Sequence, residues 1–203
     1  MSTVFSHAIV PVSLGLALGR NIISTRVLLV GILFAILPDL DVIGFAHGIA
    51  YHSPWGHRGF THSIVFAICC GWLAVCCFKL PQNRSVPVFL FLSFSMISHA
   101  LLDAMTFGGL GVGIGWPFTD QRFFFSWRPL PVSPIGIERF FNYWGMYVIK
   151  KEVVRIWLPL LGVFGFIWIA RYAVKASRIR RYVRVWSRLT ARRKPITIRP
   201  INR

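Results

Sequence analysis

Apolar residues along the chain gather into five runs, at residues 4–19, 27–46, 60–78, 86–107 and 154–174. About 20 apolar residues in helical form cross the roughly 30 Å hydrocarbon core of a bilayer. The pattern therefore predicts an all-α polytopic membrane helix bundle of about four to five transmembrane helices. The first run is near the lower length limit and suits a tilted or re-entrant segment. The second is interrupted by Pro38-Asp39-Leu40-Asp41, where the proline breaks the helical ladder. No basic region precedes the first run and no small-residue cleavage site follows it, so it does not read as a removed signal peptide.

Between the fourth and fifth runs lies a segment of different character, residues 108–152. It opens with Gly108, Gly109, Gly111, Gly113 and Gly115, and continues through Pro117, Pro129, Pro131, Pro134 and many aromatics. It reads as an ordered, irregular loop ending in a helix near Phe140–Glu152, and a loop of this length is more often functional than idle. A membrane-embedded domain over residues 1–174 and a tail over 175–203 are expected.

Composition sharpens this reading. The 203 residues are 55% hydrophobic and 14% charged, which excludes a disordered chain and disfavours an ordinary water-soluble domain. The net charge is +17, from 23 basic and 6 acidic residues. Twelve of those 23 lie from Arg171 onward. There Ile179, Tyr182, Val183, Trp186 and Leu189 recur at helical spacing among arginines, as in an amphipathic helix on an anionic lipid surface. Nucleic acid is the weaker alternative partner, because the tail continues a spanning helix. Cys69, Cys70, Cys76 and Cys77 all sit in the third run without a CxxC pair or a histidine partner, so neither a disulfide framework nor a zinc site is expected of them.

The positive-inside rule places the basic tail in the cytoplasm. Tracing back from it, the 108–152 loop is external, and the short loops with Lys79 and Arg84, and with Arg20 and Arg26, are internal. His7, Asp39, Asp41, His57, His62, His99 and Asp103 then all fall at the outer face. Ionisable groups within membrane segments are costly and usually functional. His99 and Asp103 share a helix face at i and i+4. His57 and His62 bracket a helix start that Thr61 is expected to help cap. These residue types suit zinc, with manganese as a second choice, or a mixed two-metal centre, and two metals would clamp and activate water for phosphoester hydrolysis. Asp39 or Asp41 is the candidate catalytic base. Arg58, Arg122 and Arg128 are candidates to bind the substrate anion. His47 and His52 read as loop residues. Asp120, Glu138 and Glu152 read as partners of neighbouring Arg or Lys.

Several motifs carry a resemblance: His7, LPDLD at 37–41, HRGFTHS at 57–63, SHALLDAMT at 98–106 and WPFTDQRFFFSWRPLPVSPIG at 116–136. With them the chain resembles the YdjM-like family of bacterial inner-membrane proteins, described as metal-dependent hydrolases and as LexA-regulated or LexA-binding. The resemblance implies a membrane-bound hydrolase with a divalent metal, and His57, His62, His99 and Asp103 fall on its motif positions. The motifs are distantly similar to those of zinc-dependent phospholipases C and related zinc nucleases, a fold-level analogy that favours a phosphoester. The expected function is a membrane-bound metal-dependent hydrolase acting on a lipid or membrane-proximal phosphoester. A metal-binding transporter or sensor without hydrolase activity is the alternative, and an interaction protein working through its basic tail is a third.

Overall fold

The computed structural model describes residues 1–78, 82–134 and 140–191. Lys79, Glu138 and the last twelve residues of the tail lie outside them. The described chain is helical, with isolated bridges at Thr106–Leu130 and Val112–Phe123 in place of strands.

The apolar runs become helices, and four of the described helices open on a side-chain cap. Helix α1 (Val4–Leu18) is capped by Thr3 and α2 (Thr25–Ile36) by Ser24. The chain then tightens into a 3-10 turn, Leu37–Val42, with Pro38 at its start, and a short helix α3 (Ile43–Ala46). A second 3-10 turn, Phe60–His62, leads into α4 (Ile64–Cys77). The cap of α4 is Ser63, whose Oγ accepts from Phe66 N at 3.1 Å. The hydroxyl of Thr61, expected to help cap this helix, donates instead to Asp41. Helix α5 (Gln82–Ala104) follows, then the irregular loop, then α6 (Tyr143–Glu152) capped by Asn142. A π turn, Val153–Trp157, joins α6 to α7 (Leu158–Ala191). Helix α7 runs unbroken past residue 174, so the change of composition there is not a break in the backbone.

Three of these stretches are long and apolar enough to cross a membrane: Thr25–Ala46, Arg84–Ala104 and Tyr143–Arg184. The apolar helices Val4–Leu18 and Ile64–Cys77 are shorter. At 1.5 Å per residue they reach only about 20–23 Å. Helix α5 is the central element. Its Val88, Phe91 and Leu92 are buried against Ile23 and Val27. Small residues let its neighbours come close. A Cβ on Gly31 of α2 would lie 2.5 Å from the Phe91 ring, and one on Gly71 of α4 would lie 2.2 Å from Ser93 Oγ. Packing through small residues is how helices associate in lipid, where burying apolar surface brings no gain over the solvent.

Helix α7 keeps Phe166 (73% exposed), Trp168 and Ile169 on its outside. In water such a stretch would be an aggregation liability; in a bilayer it is the lipid face. All four cysteines are free, and Cys69, Cys76 and Cys77 are exposed on α4. The loop after α5 is irregular but fastened: Phe107 N donates to Leu130 O, Phe125 N to Ala104 O, and Gly113 N to Arg58 O, at 3.1, 3.0 and 2.8 Å. Gly109 and Gly111 hold φ near +85°, a region that favours glycine.

Candidate metal centre

The start of α1, the end of α2 with its 3-10 turn, the entry to α4 and the end of α5 meet at one end of the bundle. Each contributes a buried polar side chain. Asp39, His62, His99 and Asp103 each present one ligand atom, and the four atoms lie within 4.8 Å of one another. His99 Nε2 is 3.0 Å from His62 Nε2, 3.3 Å from Asp39 Oδ1 and 3.9 Å from Asp103 Oδ2. His62 Nε2 is 3.7 Å from Asp103 Oδ2. A tetrahedral cation with bonds of about 2.0–2.2 Å requires donors about 3.3–3.6 Å apart, so these spacings already bracket the requirement.

Hydrogen bonding leads to the same conclusion. His99 Nδ1 lies 2.7 Å from the Ala35 carbonyl, to which it donates, leaving the Nε2 lone pair facing the cluster. Behind His62, Nδ1 is 3.3 Å from Asp41 Oδ2. Two imidazole nitrogens thus face each other at a distance that requires a proton or a cation between them. Both oxygens of Asp39 and Oδ2 of Asp103 are buried without a hydrogen-bond partner. Buried carboxylates without partners are costly, and a bound divalent cation satisfies them. The residues therefore fit a metal ion. A cation entering the cluster competes with protons for the imidazole nitrogens, so uptake weakens as pH falls.

The other predicted ligands stand around this group of four. His7 stacks on His99 with ring centroids 3.6 Å apart, and its Nε2 lies 3.6 Å from Asp103 Oδ1 and 4.0 Å from Asp39 Oδ2. It sits at the rim. Asp41 and His57 lie one step behind. Asp41 Oδ1 is 2.6 Å from His57 Nδ1, and Asp41 Oδ2 accepts from Arg58 N at 2.9 Å and Thr61 Oγ1 at 2.8 Å. Asp39 and Asp41 part company because a 3-10 turn advances about 120° per residue, so positions two apart face different directions. Asp41 is a positioning residue for His62. Asp41→Asn is expected to weaken zinc binding about 10–100-fold while the protein still folds, checked by zinc titration against a competing chelator.

The three arginines divide as well. Arg58 is 1% exposed at the side chain, with φ of 63°. Its Nε is 3.0 Å from Asp103 Oδ2, too poorly aligned for a hydrogen bond but a close ion pair. Its other nitrogens donate to Gly108 O and Thr106 Oγ1. Arg122 donates to the carbonyls of His57, Tyr51 and Ser53, each at 2.9 Å, and so ties the 47–59 loop down. Arg128 is exposed and stacks on Phe124.

Sequence reasoning missed one buried network. Glu152, expected to pair with Arg or Lys, is fully buried and accepts from Thr3 N at 2.7 Å, Ser6 Oγ at 2.7 Å and Thr3 Oγ1. Trp157 Nε1 also reaches Ser6 Oγ, at 2.7 Å. Ser2 completes the link to the centre, through N to Asp103 Oδ1 at 2.8 Å and Oγ to His7 Nε2 at 2.9 Å. No local pattern signals contacts across nearly 150 residues.

Residues 1–177 match the family model described as YdjM inner membrane protein. The chain belongs to the YdjM family. It is also 43% identical over 172 residues to "Inner membrane protein YbcI" of Escherichia coli (strain K12), covering 83% of this chain and 98% of that protein. No solved structure matches. The YdjM match contains all four residues of the cluster together with His7, Asp41, His57 and Glu152, and it stops where the basic tail begins. The segments LPDLD, HRGFTHS and SHALLDAMT lie within that match and meet at one end of the bundle, and the family relationship places the chain in a membrane.

Proposed function

We propose that this protein is a membrane-bound metal-dependent hydrolase acting on a phosphoester in a lipid or membrane-proximal substrate. The observation that carries the reading is the buried group Asp39, His62, His99 and Asp103, in which both Asp39 oxygens and Asp103 Oδ2 accept no hydrogen bond. Mixed nitrogen and oxygen donors favour zinc, with manganese second. When bound, such a cation neutralises an anionic ester and lowers the pKa of water. Asp39 is the proton acceptor in this reading, since the oxygens of Asp41 are already engaged. Arg128 is the arginine left open to an anion; Arg58 and Arg122 hold the protein itself.

The test is a screen of phosphodiester and phospholipid substrates on zinc-loaded protein in nanodiscs. Turnover is expected, abolished by chelation, restored by zinc, and reduced at least about 100-fold in Asp39→Asn. Absence of turnover by the zinc-loaded wild type on every phosphoester would overturn the reading. A transporter needs a polar path across the membrane, and below the cluster the helices instead pack Val27, Phe91 and Leu92 against one another.

The cluster end is proposed to face outward, with residues 1–174 forming the hydrolase unit and the 175–203 tail on anionic headgroups in the cytoplasm. A periplasmic reporter fused after Gly109 is expected to be active, whereas a cytoplasmic signal there would refute the orientation.

A further inference from the structure

Two apolar pockets flank the 3-10 turn, on either side of the exposed Leu40. One, of about 360 Å³, reaches Asp41, whose oxygens are already held by His57, Arg58 and Thr61. The other, of about 520 Å³, reaches Asp39. That volume is within the roughly 300–1,000 Å³ of small-molecule sites. Its walls include Phe5 of α1, Ile36 of α2, Leu40, Val42 and Phe140. Its mouth is apolar and open: Phe5 is 54% exposed and Phe141 is 75% exposed.

The two ends of this pocket ask for opposite chemistry. The mouth, with Phe5, Phe140 and Phe141, is of the aromatic kind that sits at the boundary between headgroups and hydrocarbon. The floor reaches a carboxylate that is 7% exposed and has no hydrogen-bond partner on either oxygen. With a cation held at the cluster, a molecule with a long hydrocarbon chain and an anionic head fits both ends. An acyl chain in a bilayer is already in hydrocarbon, so the pocket gains little by solvation alone. Its use is to align a lipid whose head is held at the cluster.

We infer that the Asp39 pocket holds one acyl chain of a membrane phospholipid, with its phosphate end at the Asp39 side of the cluster. The inference deepens the hydrolase reading by naming the substrate class, and its head-group placement rests on that reading. Phospholipid acyl chains are the bulk of the hydrocarbon around an inner-membrane protein, which favours them over prenyl chains.

The experiment uses the full chain, zinc-loaded, in nanodiscs doped with a phospholipid carrying a photoreactive acyl chain. Crosslinks are mapped by mass spectrometry and zinc is counted on the same samples. Labelling is expected to concentrate on Phe5, Ile36, Val42 and Phe140, about tenfold above the lipid-facing Leu29. Val42→Trp or Phe5→Trp, each filling the pocket, is expected to lower that labelling about tenfold with zinc content unchanged. Even labelling over α2 and α7 would overturn the inference, and so would displacement of the label by prenyl phosphate but not by excess phospholipid. The mapping on wild type decides the matter even if a tryptophan variant fails to fold. Pocket labelling without phosphoester turnover leaves the pocket assignment standing and removes the hydrolase reading. Turnover of soluble short-chain esters without pocket labelling does the reverse.

Discussion

His99→Ala is expected to strip the divalent cation from the purified protein, with a loss of affinity of at least about 100-fold. Wild type should carry zinc in stoichiometric amount, measured by elemental analysis after purification without added chelator. His99 is the hinge of the site. Its Nε2 is the atom close to all three other donors, and its Nδ1 is locked to the Ala35 carbonyl, so the ring cannot turn away. Removing the ring also removes the surface on which His7 stacks. Asp103→Ala should lose the metal equally, through the opposite side of the cluster. His57→Ala serves as the contrast. Its Nδ1 is held by Asp41 and its ring only packs edge-on against His62, with centroids 5.8 Å apart, so it should keep most of the metal. Wild type without bound metal under these conditions would sink the metal reading, and equal loss in His57→Ala would mean that the site extends further than the four residues.

The contrast between His99 and His57 also marks how far the sequence could be read. Five apolar runs, the proline break and the irregular glycine-rich loop were legible because each is a local pattern with a local cause: hydropathy for the helices, Pro38 for the 3-10 turn, glycine for the loop. The gathering of His7, Asp39, His62, His99 and Asp103 was legible for a less local reason. Consecutive spanning segments must alternate direction, so residues at the start of one and the end of the next share a face. Alternation cannot rank residues within that face. Asp39 and Asp41 look equivalent in LPDLD until the 3-10 turn separates them, and His57 and His62 until Asp41 is seen to lie between them. Arginine was the least legible residue. Arg58 resembles an anion binder in sequence, and only the fold shows its guanidinium consumed by Asp103, Gly108 and Thr106. Glu152 was missed for the same reason, since its partners Thr3 and Ser6 come from the other end of the chain.

Arg58→Met is expected to destabilise the metal-free protein by about 3–5 kcal/mol, the usual result of removing one partner from a buried ion pair. In apparent Tm this is roughly 6–20 °C for a chain of this size. Asp103 is fully buried, and Arg58 is the cation held against it. Methionine keeps the volume of the side-chain stem but removes the guanidinium that lies 3.0 Å from the carboxylate. The backbone at residue 58 adds a separate contribution, because φ of 63° costs a non-glycine residue about 1–2 kcal/mol. Arg58→Gly relieves this strain but also empties the buried space that the stem fills, so it should destabilise at least as much as Arg58→Met. The double variant Arg58→Met with Asp103→Asn should recover most of the loss, since no buried charge is then left unpaired. Zinc gives the decisive comparison. A bound cation supplies Asp103 with a second positive partner, so the Arg58→Met penalty should shrink in the zinc-loaded protein and reappear on chelation. Thermal unfolding of the four proteins, with and without zinc, measures this directly. An equal penalty in both states would mean that Arg58 only braces the loop through Gly108 and Thr106, and that Asp103 does not meet the metal.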